Sequence, residues 1–539
     1  MKKNSYNATL LLTSAMVLLA SINVIALQAQ DRKAATTPRL IIGIAVDQLR
    51  TDYLQALHSR LGEQGLKRLM NEGLVYENVV FDFDNPDATA ALAVLATGAD
   101  PFYNGIPSAT IYNQQMLRRQ SVFYDKDYIG NTTTANLSPK ALVGSNIADE
   151  LKTATASASK VFAIAPDAES AIISAGHAAN CAVWLDDRLG QWASTTYYKD
   201  FPNYIVRQNY DKPLFVEFNN KTVWKPLVEN NGGRDLMPYH YEQSPFSHSF
   251  YQSSRPVYQW VKTSPLINDA ITELSKACIK QSHLGQNKNT DMLQLTFYAG
   301  SFMRENPEQY ASELEDIYLR LDQNIADLLS AVDAQVGLSN TIIYLTGTGA
   351  TDDNSADIPG TVSGEFNGAR CCALLNSYLI SLYGQGNWVE GFNNFQIYLN
   401  HKTIDDKKLL LTDVQRSAAQ FVTMFSGVGD AVSAHQLLHE DFGDRITRMR
   451  KGYNKTFGGD VVIQLQPGWS LRTDDKTPAK PQIRSDIAPG PLIIFAPGKI
   501  SAKRISKPVD ATAVAPTIAH CIKIRAPSGC RDLPLTLYY

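Results

Sequence analysis

No charge of one sign dominates this 539-residue chain: 50 Lys and Arg stand against 53 Asp and Glu, a formal net charge of −3. That balance gives no electrostatic reason to expect nucleic acid or an anionic membrane as a partner. Cysteine is scarce as well. Six in 539 residues cannot build a disulfide scaffold, although an oxidising compartment would permit Cys521 to pair with Cys530 across a short Pro-containing loop. Cys371 and Cys372 are adjacent, match no metal-type spacing and read as buried small hydrophobes. Beyond the N-terminal region no apolar stretch is long enough to span a bilayer, and no internal repeat or low-complexity tract occurs. What is present is a globular composition, 44% apolar and 19% charged. It can bury a sizeable core in one large elaborated domain or in two to four ordinary ones.

The N-terminus carries Lys2 and Lys3, then an apolar region from Ala8 to Leu27 interrupted by Thr13, Ser14, Ser21 and Asn23, then ALQAQD. This is the layout of a cleavable secretory signal over residues 1–30, with processing near Ala29 or Gln30. A membrane anchor is the rival reading, disfavoured by the polar interruptions and the small-residue exit. The absence of cysteine there argues against a lipoprotein anchor. The expected product, residues 31–539, is exported and has no membrane span after signal cleavage.

After a polar entry from Asp31 to Pro38, RLIIGIAVDQL reads as a buried parallel strand ending in an Asp at a site-facing end. NTIIYLTG (Asn340 to Gly347) and PLIIFAPG (Pro491 to Gly498) read as further strands of the same kind. SELEDIYLRLDQNIADLLSAVDAQV places Leu, Ile and Val at three- and four-residue intervals, as in an amphipathic helix. Strands alternating with helices predict an α/β fold with a doubly wound, mostly parallel sheet flanked by helices. Asp200 to Phe250, rich in Tyr, Phe, Asn and Pro, reads as an inserted loop-rich subdomain within that single domain.

The stretch NPDATAALAVLATGADPFYNGI, Asn85 to Ile106, joins a turn to a small-residue apolar run suited to a buried helix. Taken with IAVDQLRTDYL, AGHAANCAVWLDD followed by GQWASTTYY, ELEDIYLRLD, GDVVIQLQPGW and VAPTIA, it resembles the monomeric, exported alkaline phosphatases common in Bacteroidota, over nearly the whole mature chain. The resemblance implies an alkaline-phosphatase-like sheet, a Gram-negative periplasm or cell envelope, two zinc ions, a Thr nucleophile, and an Asn, a Lys and an Arg on the phosphoryl oxygens. Two metals would clamp the attacking and leaving oxygens and activate the hydroxyl.

Carried over position by position, that machinery is missing. The first metal ligand is matched by Asp47, the one ligand retained. The nucleophilic Thr falls on Ala88, with Thr89 one residue late; one residue turns a helical side chain by about 100°, so Thr89 should not point where Ala88 points. The phosphate-binding Asn falls on Ala109. The family's Lys and Arg fall on Asp167 and Glu169, exchanging two cations for two anions. At roughly 4 Å and an effective dielectric near 20, each charge pair is worth on the order of 4 kcal/mol before solvent reduces it, and the sign is reversed. A D-x-x-x-H ligand pair falls on Ser301 and Glu305. The D-H pair at the end of the second strand falls on Thr348 and Gly349. The final ligand His should lie in TPAKPQIRSDIAPGP, which has none. One retained carboxylate does not make a tight zinc site.

The remaining groups have ordinary readings. Asp47 would cap the next helix, Thr89 would face the core, and Asp352 and Asp353 would be solvated loop charges. Asp47, Asp352 and Asp353, together with Asp84, Asp87 and Glu305, would otherwise have to form an oxygen-rich calcium or magnesium pocket. His435 and His439 lie four apart with no third ligand, as on a solvated helix face, and His177 in AGHAAN reads as a structural hydrogen-bonding residue. The sequence therefore predicts a pseudoenzyme: no catalytic residue, no cofactor, and a binding or scaffold role with an unknown envelope protein or ligand. The alternative is a metal-dependent phosphomonoesterase or phosphodiesterase that uses Thr89 or a water in a rearranged site. An envelope-complex subunit with an apolar patch on the inserted region is a third reading.

Overall fold

Strand β1 (Leu40–Asp47) is buried at all eight positions, as expected of an apolar, β-branched run covered on both faces. The computed structural model describes residues 37–84, 87–199, 201–219, 222–228, 245–250, 257–305, 307–349, 362–440, 443–476, 479–483 and 488–539. The proposed signal and the Asn85–Pro86 turn lie outside them. Arg39–Tyr539 form one compact unit. No helix among the described residues is long and apolar enough to cross a membrane.

The other elements that build the site are β2 (Leu74–Val80), α1 (Ala88–Thr97), α2 (Ile147–Ala154), β3 (Val161–Ala165), α3 (Ala168–Ala175), β4 (Cys181–Leu185), β5 (Trp192–Thr195), α4 (Pro265–Gln281), β6 (Asp291–Tyr298), α5 (Ala311–Gln335) and β7 (Thr341–Gly347). They are followed by α6 (Gly368–Tyr383), β8 (Val389–Asn393), β9 (Gln396–Leu399), α7 (Leu411–Val422), β10 (Val428–Ser433), β11 (Val461–Leu465), β12 (Gly490–Phe495) and β13 (Lys503–Ile505). One sheet runs β13-β2-β12-β7-β1-β6-β3-β4-β5 and is extended by short strands to eleven. β1 pairs in parallel with β6 and β7, β6 with β3, and β3 with β4. The expected α/β sheet flanked by helices is present. PLIIFAPG departs from its expected direction, because β12 is antiparallel to both β7 and β2.

Helix α1 is buried almost throughout, because its alanines let it lie against α3 and the sheet with no polar face to expose. Asp87 caps it, accepting from Ala90 N at 2.8 Å. Gly98 ends it at φ 66°, where a Cβ would meet the Cys530 sulfur. That sulfur donates to the Thr97 carbonyl at 3.2 Å and both Cys530 and Cys521 are free thiols, so the suggested disulfide does not form.

One feature was not anticipated. A four-stranded sheet, β8-β9-β11-β10, with α6 and α7 encloses its own core, in which Cys371 is fully buried. The described parts of the 200–250 region do not form a separate body; Ile205, Leu214, Phe218, Trp224 and Phe250 join the main core. Trp224 Nε1 donates to Asp316 on α5 at 2.6 Å, and His248 lies 4.5 Å, ring to ring, from Phe302. This region is thereby tied to the loop after β6.

His177 lies beyond α3, with Nδ1 2.9 Å from Asp149 and Nε2 3.1 Å from the Leu142 carbonyl. The hydrogen bond to Asp149 raises the His177 pKa above its ordinary value, against an opposing effect of burial. A raised folded value means that the stabilisation is fully present below about pH 6.5 and is lost as pH rises through the folded pKa. Urea midpoints of wild type minus His177→Gln should therefore fall from pH 6 to pH 8. A difference that is flat or grows with pH would refute the assignment.

Candidate functional site

Because β1, β6 and β7 run in parallel register, with Asp47 opposite Tyr298 and Val46 opposite Gly347, their C-terminal ends meet at one edge. The N-termini of α1 and α3 point to the same edge. Between them opens a cleft of about 490 Å³ lined by Asp47, Ala88, Thr89, Ala109, Asp167, Glu169 and Thr348. Residues widely separated in sequence are thus brought together.

Asp47 does not cap a helix; the next helix begins after Arg50 without a side-chain cap. Both its oxygens are engaged. Oδ2 accepts from Arg304 Nη2 at 2.6 Å and Oδ1 from the Thr348 hydroxyl at 3.0 Å. Arg304 also lies over the Tyr298 ring, 5.2 Å from its centroid. The loop that delivers it is left-handed at two consecutive residues, Met303 (φ 58°) and Arg304 (φ 56°), a conformation that persists only when surrounding contacts hold it. The turn presents Arg304 rather than Glu305, which is exposed and lies outside the cleft lining. Ser301 is buried beneath the loop with its hydroxyl unpartnered among the described residues. Gly349 is left-handed at φ 66° and lies outside the cleft lining.

Arg304→Ala is expected to destabilise the fold by about 1–2 kcal/mol, because it leaves the buried Asp47 carboxylate with one hydroxyl donor. The estimate is modest because the Arg304 side chain is 47% exposed. Urea denaturation checks it, and an unchanged midpoint would mean that the pair does not hold the loop.

Thr89 is buried, at 8% exposure, as a core-facing residue would be. It lines the cleft together with Ala88, because at the first turn of α1 both positions flank the mouth rather than opposite sides of a packed cylinder. Asp167 caps α3, accepting from Ser170 N at 2.8 Å, and Glu169 accepts from the Ser121 hydroxyl at 2.7 Å. Burial first, and then the neighbouring Asp167, push the Glu169 carboxyl above its ordinary range. Asp87 accepts from Ala109 N at 3.2 Å, holding the loop that carries Ala109 against α1.

The suggested acidic pocket is not assembled among the described residues. Asp84 contacts Arg448 and Gln464, Asp352 and Asp353 lie outside the described residues, and no group of three His, Cys, Asp or Glu is placed to hold a metal. The zinc donors implied by the resemblance do not fit either: a carboxylate engaged by a guanidinium, two hydroxyls, a glycine and an exposed Glu offer no nitrogen or sulfur ligand. His435 and His439 lie 4.8 Å apart, ring to ring and tilted, on a short helix and outside the cleft lining. Sequence reasoning missed Arg304, Thr296, Trp260, Lys262 and Asp187, all of which line the cleft. Only Arg304, one residue from a flagged position, had any local signal.

A mostly parallel sheet with a carboxylate at its C-terminal edge and two helix N-termini over a cleft is the layout of the alkaline phosphatase superfamily. Within it, the chain belongs to the type I phosphodiesterase/nucleotide pyrophosphatase family, whose sequence profile matches residues 41–488. It is 30% identical over 523 residues to a protein of Myroides odoratus named calcium-transporting ATPase, covering 92% of this chain and 94% of that one. It is 27% identical to alkaline phosphatase PafA of Elizabethkingia meningoseptica, covering 95% and 96%. The crystal structure of wild-type PafA superposes with a TM-score of 0.80 at 25% identity over 93% of this chain and 99% of that one. A solved variant of PafA, with one Thr changed to Ser and an Asn, a Lys and an Arg changed to Ala, gives the same TM-score.

Proposed function

We propose that this phosphatase-family protein is a non-catalytic binding or scaffold protein of the cell envelope, exported by a signal over residues 1–30. The observation that carries the reading is the double engagement of Asp47 by Arg304 and Thr348. A guanidinium held by the chain itself supplies the positive charge that a metal ion would bring, so the carboxylate is neutralised without a Lewis acid. Supporting it, the four residue types changed in the PafA variant are those for which the resemblance places Ala88, Ala109, Asp167 and Glu169 here. Ala88 has no nucleophilic atom, and the two carboxylates disfavour a phosphate dianion.

A second reading, a metal-dependent phosphoesterase, is favoured by one observation: Thr89 is among the residues that line the cleft. Metal stoichiometry by mass spectrometry, after dialysis of the secreted chain against excess zinc, separates the two. Near-zero bound zinc is expected. Two tightly held ions per chain, with turnover abolished by Asp47→Asn, would establish the second reading.

A further inference from the structure

Taking the cleft as a binding site rather than a reaction centre, we infer that it recognises a small organic ammonium ion, held by Asp167 and Glu169 with its carbon body against Trp260. Four carboxylates and two cations line the cleft: Asp47, Asp167, Glu169 and Asp187 against Lys262 and Arg304. Arg304 pairs with Asp47, and Lys262 with Asp187. Asp167 and Glu169 form no ion pair among the described residues, although the Lys262 charge is felt at Glu169, and the cleft keeps two more carboxylates than cations. The hydrogen bonds of Asp167 and Glu169 come from neutral donors, the Ser170 amide and hydroxyl and the Ser121 hydroxyl, which orient the carboxylates without cancelling their charge.

A separate observation points to a guest. Thr296 on β6 lines the cleft, is 3% exposed, and its hydroxyl has no hydrogen-bond partner among the described residues. A buried polar atom left in this way carries a penalty on the order of 1–3 kcal/mol unless something bonds to it. An ammonium group supplies N–H donors to hydroxyl and carboxylate oxygens alike. The Tyr298 ring is already covered by Arg304; Trp260, half-buried on the wall, is the indole available to an apolar or cationic guest. A phosphate dianion would meet repulsion from the two carboxylates, and a neutral sugar would leave both uncompensated.

The test is isothermal titration calorimetry on the secreted full chain at pH 7 with tryptamine, phenethylamine and 1,4-diaminobutane. Each is paired with its alcohol, and inorganic phosphate is titrated in parallel. At least one amine should bind saturably, about tenfold or more tighter than its alcohol, and weaken about tenfold in Glu169→Gln. Asp167→Asn, which keeps the helix cap, serves as the second variant should Glu169→Gln fail to fold. Amines that give no heat, alcohols that bind as well as amines, or binding indifferent to both substitutions would overturn the assignment. Hydrolysis of p-nitrophenyl phosphate by the same preparation decides the underlying reading separately. An inert protein that ignores amines refutes only the ligand class, whereas turnover refutes the binding-site reading itself.

Discussion

Hydrolysis of p-nitrophenyl phosphate by the secreted chain is expected to stay at least about a million-fold below that of an active zinc phosphatase, whether or not zinc is added. Loss of a nucleophile alone would leave a metal-bound hydroxide as a bypass. Here Asp47 is held by Arg304 and Thr348, and Ser301, Glu305 and Gly349 lie outside the cleft lining, so on the proposed reading no such bypass is expected. Ala88→Thr alone is expected to restore nothing, since an unactivated hydroxyl remains inert. Adding Ala109→Asn, Asp167→Lys and Glu169→Arg would rebuild a phosphate cradle and raise phosphate affinity without raising turnover. Zinc-dependent turnover of the unmodified chain that is lost in Thr89→Ala would instead make Thr89 a nucleophile and end the pseudoenzyme reading.

Asp149→Ala is expected to destabilise the fold by about 3–5 kcal/mol in urea unfolding, in the upper tail for single substitutions. Asp149 is 7% exposed and gathers one turn of chain. Oδ1 accepts from His177 N at 2.8 Å and Ala178 N at 2.9 Å, and Oδ2 lies 2.9 Å from His177 Nδ1 and accepts from Asn146 N at 3.2 Å. Truncation strands these donors together. Gly176 belongs to the same unit: it sits at φ 68°, and a Cβ there would press on Asn146 and Asp149. Asp149→Asn keeps one carbonyl acceptor and should lose about half as much. A loss below about 1 kcal/mol for the alanine variant would show that the turn is held by packing instead.

Much of this was legible in the sequence. Leu40–Asp47, Thr341–Gly347 and Ala311–Gln335 stand out because long buried strands and amphipathic helices carry strong local patterns. The short strands between Val389 and Leu465 carry weaker ones, and the second sheet went unrecognised. The direction of Gly490–Phe495 was also hidden, because an apolar run buried on both faces reads the same in either sense.

The sequence by itself determined the α/β class, the family, and which side-chain chemistry stands at each position around the cleft, because composition and motif order do not depend on how loops turn. Only the tertiary structure decided what those side chains do. That Asp47 is bound by a guanidinium follows from two left-handed residues at Met303 and Arg304. That Thr89 shares the cleft with Ala88 follows from their place at a helix mouth, and that Asp167 and Glu169 form no ion pair among the described residues follows from how Lys262 and Arg304 are engaged elsewhere. Pairing between groups distant in sequence is set by three-dimensional register, which no local pattern encodes.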